Sequence, residues 1–129
     1  MVNLLMLSAG LTNILGISLF SKLFTNKNLS KFDSLFDLRG NILILLWGLT
    51  YIFTTKTYNN PIMLVFFAEK LVYVINYIIS FIKKSKKIKS FWKNDKLTFL
   101  FLNLYGIIDL VFGIIFVVLF FKKQNNNLL

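Results

Sequence analysis

The chain reads as an all-α protein: a four-helix transmembrane bundle, N-out/C-out, with a short amphipathic interfacial helix between the first and second spans. Three observations predict it. The 129 residues are 57% hydrophobic and 17% aromatic, against about 45–50% apolar for an ordinary soluble domain. Four apolar runs approach the roughly 20 residues that a membrane crossing needs, and the basic residues collect in two of the connections between them. Long apolar runs without period-two alternation do not read as barrel strands.

The first run, Val2–Phe20, is broken only by Asn3, Ser8, Thr12, Asn13 and Ser18 and carries no charge. A cleaved signal would place positive residues ahead of a shorter apolar core. No Lys or Arg precedes Lys22, so the segment is expected to stay as a span. In the connection that follows, Ser30 and Asp33 fit a capping-box-like start, Leu29, Phe32, Leu35 and Phe36 share one helical face, and Gly40 can end the segment. Such a helix lies at headgroup level, either as a ramp into the second span or as a docking surface.

The second run, Ile42–Thr55, is short and takes Asn41 and Lys56 as interfacial ends, giving a span over 41–56. Pro61 opens the third span, 62–82, where proline is tolerated in a first helical turn. The fourth span, 97–121, is the longest and most apolar. Residues 1–129 therefore read as a single integral membrane domain.

Charge supplies the orientation. Fifteen Lys and Arg stand against five Asp and Glu, a net +10. The first connection holds Lys22, Lys27, Lys31 and Arg39, and the second holds Lys83, Lys84, Lys86, Lys87, Lys89, Lys93 and Lys96. Only Lys56, Lys122 and Lys123 fall on the other side, so the positive-inside rule turns the two longer connections to the cytoplasm. The 83–96 connection, with Phe91 and Trp92 among its lysines, is expected to meet anionic lipid headgroups, at about 1 kcal/mol per basic residue. It serves there as an anchor or as a lipid-regulated switch. No soluble basic domain carries these charges, so nucleic acid is not an expected partner.

Absences narrow the chemistry. Without Cys there is no disulfide, thiolate zinc site or iron–sulfur cluster. Without His the usual axial haem ligand and the commonest general base are missing too. No metal, no cofactor and no catalytic constellation is assigned.

The informative residues are the charges inside the spans. An ionisable side chain at the bilayer centre costs roughly 2.5–3.5 kcal/mol on insertion scales and persists where it faces protein or water. Glu69 and Lys70 lie in the third span and Asp109 at the midpoint of the fourth. Glu69 and Lys70 are about 100° apart round a helix and so do not form a same-face pair. Lys70 with Asp109 is the better salt bridge, leaving Glu69 to hydrogen-bond a Tyr, Asn or Thr, or to be protonated. Desolvation favours the neutral carboxyl, the form a proton carrier needs. Tyr73 and Asn76 follow Glu69 at i+4 and i+7, while Asn103, Tyr105, Gly106 and Gly113 accompany Asp109. The first span offers Asn13 with Ala9 and Gly16, and the second offers Trp47, Gly48, Tyr51 and Thr54. These groups can converge on a polar pocket walled by aromatics. Alternatively they are helix–helix glue, with hydrogen bonds worth about 0.6 kcal/mol each in a membrane.

The signatures W-G-x-x-Y (Trp47, Gly48, Tyr51), E-K-x-x-Y (Glu69, Lys70, Tyr73) and Y-G-x-x-D-x-x-x-G (Tyr105, Gly106, Asp109, Gly113) resemble a pattern of small bacterial four-helix integral membrane proteins. In size and span count the chain is similar to DoxX-like proteins. The resemblance implies the fold and a multi-pass place in a bacterial inner (cell) membrane, and no activity, since such families mostly lack an assigned one. Small multidrug-resistance transporters, of similar length, carry their essential glutamate in the first helix, where this chain has only Ser8, Thr12 and Asn13. The expected function is binding or transport of a small or lipidic ligand in an intramembrane polar pocket, with proton coupling through Glu69 or Asp109. The ligand-binding set is Glu69, Lys70, Asp109, Trp47, Tyr51, Tyr73, Asn76, Asn103, Tyr105 and Asn13. Two alternatives are a membrane-embedded acid/base enzyme on an apolar substrate and an accessory subunit that meets a second copy or another membrane protein.

Overall fold

A computed structural model describes residues 2–56 and 59–127. It is all-helical, with 89% of residues in helices and no strand among the described residues. The helices are α1 (Val2–Phe20), α2 (Lys27–Phe32), α3 (Leu38–Phe53), α4 (Asn60–Asn94) and α5 (Lys96–Asn127), with a 3₁₀ turn at Ser34–Phe36. Val2–Phe20, Asn60–Asn94 and Lys96–Lys123 are each long and apolar enough to cross a membrane, and Leu38–Phe53 is a shorter apolar helix. On α1 the outward stripe Leu4, Leu7, Leu11, Leu15 and Leu19 is wholly apolar and exposed. Such a face suits lipid as solvent and is foreign to a water-facing surface.

The chain divides into two compact units, Met1–Tyr58 and Asn59–Leu129. In the first, α1 and α3 run antiparallel with small residues at the contact. A Cβ on Gly10 would come 2.6 Å from the Gly48 carbonyl oxygen, and one on Gly48 would come 2.7 Å from Ile14 Cγ1. Close backbone approach of this kind is how membrane helices gain packing without a hydrophobic drive. Met6, Ala9, Gly10, Asn13 and Ile17 form the buried stripe of α1. Gly16, expected in that stripe, is off it and meets nothing within 4 Å.

The connection between α1 and α3 departs from expectation. Lys22, Leu23 and Phe24 all take positive φ, at 51°, 53° and 70°, a left-handed turn that costs L-residues roughly 1–2 kcal/mol each. Ser21 and Asn26 hold it. Ser21 Oγ accepts from Phe24 N–H at 3.0 Å, and Asn26 Nδ2 donates to the Phe20 carbonyl at 2.8 Å. Asn26 also caps α2 through Leu29 N–H, so the helix starts upstream of the expected Ser30. Asp33 then caps the 3₁₀ turn and Asp37 caps α3, each side chain accepting a backbone N–H at 2.9 Å. Gly40, expected to end the interfacial helix, instead lies in the first turn of α3. A side chain there would collide with the Leu35 carbonyl.

In the second unit α4 and α5 form an antiparallel pair. Asn59 caps α4 and Pro61 falls in its first turn. Asp95 joins the two helices: its N–H bonds the Phe91 carbonyl, and its carboxylate accepts from Thr98 N–H at 3.2 Å and Thr98 Oγ1 at 2.7 Å. The 83–96 segment, read from its charge as a connection, is helical up to Asn94. Lysine is a good helix former, and no Gly or Pro lies between Pro61 and Asp95. The helix breaks once, at Lys84, with φ −126° and ψ 21°.

The pairs Phe66–Phe116, Lys70–Asp109 and Asn76–Tyr105 set the register, which brings Lys84 level with the start of α5. Ser85–Asn94, about 15 Å of helix, therefore has no counterpart along α5. The break lets it leave the pair with Ile88 and Phe91 buried and its lysines exposed. Its end returns to α5 where the Trp92 and Phe99 rings meet at 5.2 Å.

Candidate functional site

The charges of the second unit meet between α4 and α5. Lys70 Nζ lies 2.9 Å from Asp109 Oδ1, within hydrogen-bond distance, and 3.5 Å from Glu69 Oε2. Sequence spacing placed Glu69 off the Lys70 face. The long lysine side chain nevertheless brings its ammonium to both carboxylates. Lys70 is 1% exposed, and its Nζ also stands 5.7 Å from the Phe112 ring centre. One buried cation thus serves two anions, an arrangement in which removing the cation strands both carboxylates.

Glycine makes room for this. A Cβ on Gly113 would sit 3.4 Å from Lys70 Cβ, so the lysine stem passes directly over the α5 backbone. On one side of the charges the Phe66 and Phe116 rings pack at 5.5 Å. Toward Lys84, a polar and aromatic layer closes the pair. Asn76 Nδ2 donates to the Tyr105 hydroxyl at 3.1 Å, and the Tyr77 hydroxyl donates to the Asn103 carbonyl at 2.9 Å. Tyr77 and Tyr105 meet edge to face at 5.2 Å, and Phe101 stacks on Tyr105 at the same distance.

Among the residues singled out from sequence, Glu69, Lys70 and Asp109 come together, with Tyr73 buried on the same helix. Asn76 and Tyr105 join in the next layer. Asn103 contributes its backbone, because its side-chain amide turns back to the Phe99 carbonyl of its own helix at 2.7 Å. Asn13, Trp47 and Tyr51 belong to the first unit, where Asn13 and Tyr51 are buried, Trp47 is half-buried, and the Trp47 and Tyr51 rings lie 6.5 Å apart. Sequence reading missed Tyr77. Its signal was its place seven residues after Lys70, two turns along the same face, opposite a glycine.

Beside Lys70 and Asp109 there is a cavity of about 30 Å³ whose other walls are Phe67, Leu71, Val74, Leu110, Gly113 and Ile114. That is about the share of one water molecule. The arrangement can hold a proton between two carboxylates and an ammonium, with room for a water beside Lys70 and Asp109. Among the described residues no group of three His, Cys, Asp or Glu could hold a metal ion.

A scan of protein-family models finds no match to this chain, and comparisons with curated proteins and with solved structures find none that is significant.

Proposed function

We propose that this chain is a multi-pass protein of the cell membrane, with both termini outside, that couples a proton held at Glu69, Lys70 and Asp109 to the binding or movement of a small or lipidic ligand. The observation that carries the reading is the sharing of the buried Lys70 ammonium by two carboxylates. Fully ionised, the three groups carry one net negative charge in a medium that penalises it. One added proton neutralises them and leaves a single ion pair. Which carboxyl takes the proton decides whether the Lys70–Asp109 bond between α4 and α5 stays closed. The cavity of about 30 Å³ admits no ligand in this conformation, so ligand entry requires the two helices to part.

The test uses protein purified in mild detergent at acidic and at alkaline pH, with co-purifying lipids and small molecules identified by mass spectrometry. A bound set that changes with pH in the wild type, and no longer changes in both Glu69→Gln and Asp109→Asn, supports the coupling. A bound set indifferent to pH, or equally sensitive in the variants, overturns it.

The small cavity favours a second reading, that the charges lock α4 to α5 in an accessory subunit of a membrane complex. There the variants would change assembly with a partner and leave bound molecules alone. An acid/base enzyme has less support, because Glu69 and Asp109 share one lysine rather than flank an open space. We also propose that the exposed lysines of Ser85–Asn94 meet anionic headgroups, as the burial of Ile88 and Phe91 beneath them favours.

A further inference from the structure

The connection between α1 and α3 borders an open cleft of about 320 Å³ lined by Phe24, Thr25, Asn26, Lys27, Ser30, Lys31, Leu38 and Asn41. The volume is within the range of small-molecule sites, roughly 300–1,000 Å³. Its chemistry is one-sided. Lys27 and Lys31, one helical turn apart, bring two ammonium groups that have no ion-pair partner among the described residues. Ser30 and Thr25 add hydroxyls, and no carboxylate lines the space.

Asn41 is only 4% exposed, and its Oδ1 has no hydrogen-bond partner among the described residues. A buried amide oxygen left without a donor is costly, and a ligand hydroxyl would satisfy it. Phe24 and Leu38 supply apolar walls, and both side chains are themselves exposed. Two cations, a buried acceptor and an apolar exit describe a phosphate ester that carries a hydroxyl donor and an alkyl tail.

We infer that this cleft is a headgroup site for an anionic phospholipid of the phosphatidylglycerol kind. The phosphate sits with Lys27 and Lys31, a headgroup hydroxyl donates to Asn41 Oδ1, and the acyl chains leave past Phe24 and Leu38. The site shares no residue with the Glu69, Lys70 and Asp109 cluster or with Ser85–Asn94.

The full chain in nanodiscs of equimolar phosphatidylcholine, phosphatidylglycerol and phosphatidate tests it, with retained lipid read by native mass spectrometry. The wild type is expected to retain phosphatidylglycerol. Lys27→Gln with Lys31→Gln, both exposed positions, is expected to lower that enrichment roughly 30-fold while helix content stays unchanged. Asn41→Leu keeps the preference for anionic lipid and loses the distinction between phosphatidylglycerol and phosphatidate. Lys86→Gln, Lys87→Gln and Lys89→Gln together lower the total anionic lipid retained and leave the preference for phosphatidylglycerol over phosphatidate as in the wild type. Wild-type enrichment that survives the first double variant, or a preference for phosphatidylglycerol over phosphatidate that disappears in the last triple variant, overturns the proposal. Binding of free glycerol phosphate to delipidated protein that retains no lipid would assign the cleft to a soluble ester and overturn the lipid assignment.

Discussion

Tyr77 of α4 fills the space that a side chain at Gly106 of α5 would occupy: a Cβ built on Gly106 collides with the tyrosine ring. The same ring meets Tyr105 edge to face and its hydroxyl reaches the Asn103 carbonyl. Gly106→Ala must therefore displace Tyr77 or push the helices apart, at about 1–3 kcal/mol for overpacking. Gly16→Ala, in open space, is expected to stabilise α1 by roughly 0.5–1 kcal/mol. Unfolding in micelles measures both, and equal effects from the two would refute the Tyr77–Gly106 contact.

Lys70→Met leaves two buried carboxylates without their cation, a loss of about 3–5 kcal/mol for a broken buried pair. Asp109→Asn is expected to cost less, because Glu69 still lies 3.5 Å from the ammonium. Thermal unfolding in detergent ranks the two variants. If the asparagine variant proved the less stable, Glu69 would not be sharing the lysine.

Asp95→Ala removes both bonds to Thr98, and loss of such a cap costs about 1 kcal/mol. The effect should be local. Amide exchange is expected to rise in the first turn of α5 and to stay unchanged near Asp109, and Asp95→Asn should retain most of the protection.

Leu23→Gly relieves one of three left-handed residues at a side chain that is 73% exposed, so little burial is lost. Relief of about 1–2 kcal/mol, less the roughly 0.5–1 kcal/mol that glycine loses in chain entropy, predicts a small net gain. A higher unfolding midpoint is the expected result. A lower one would mean that Leu23 packs in the folded protein.

Much of this was legible in the sequence. Apolar run length gave the long helices, and the rarity of charge in those runs singled out Glu69, Lys70 and Asp109. The lysine-rich stretch misled, because charge marks where a chain meets water and says little about whether its backbone is helical. The interfacial helix was offset because Asn26 and Ser30 are both competent caps, and the bond from Asn26 to the Phe20 carbonyl decides between them only in three dimensions. The left-handed turn at Lys22–Phe24 contains no glycine to announce it, so the cleft beside it left no trace in residue spacing. Tyr77 was one of two tyrosines on the same face as Lys70, and only its fit against Gly106 distinguishes it from Tyr73.

The break at Lys84 acts as mechanical insulation. Because Ser85–Asn94 lies outside the α4–α5 register, residues inserted or removed there would be taken up within that segment, without sliding Lys70 past Asp109. The basic end and the buried charges can consequently diverge independently, and a tag or probe spliced near Ser90 would leave the ion pair in step.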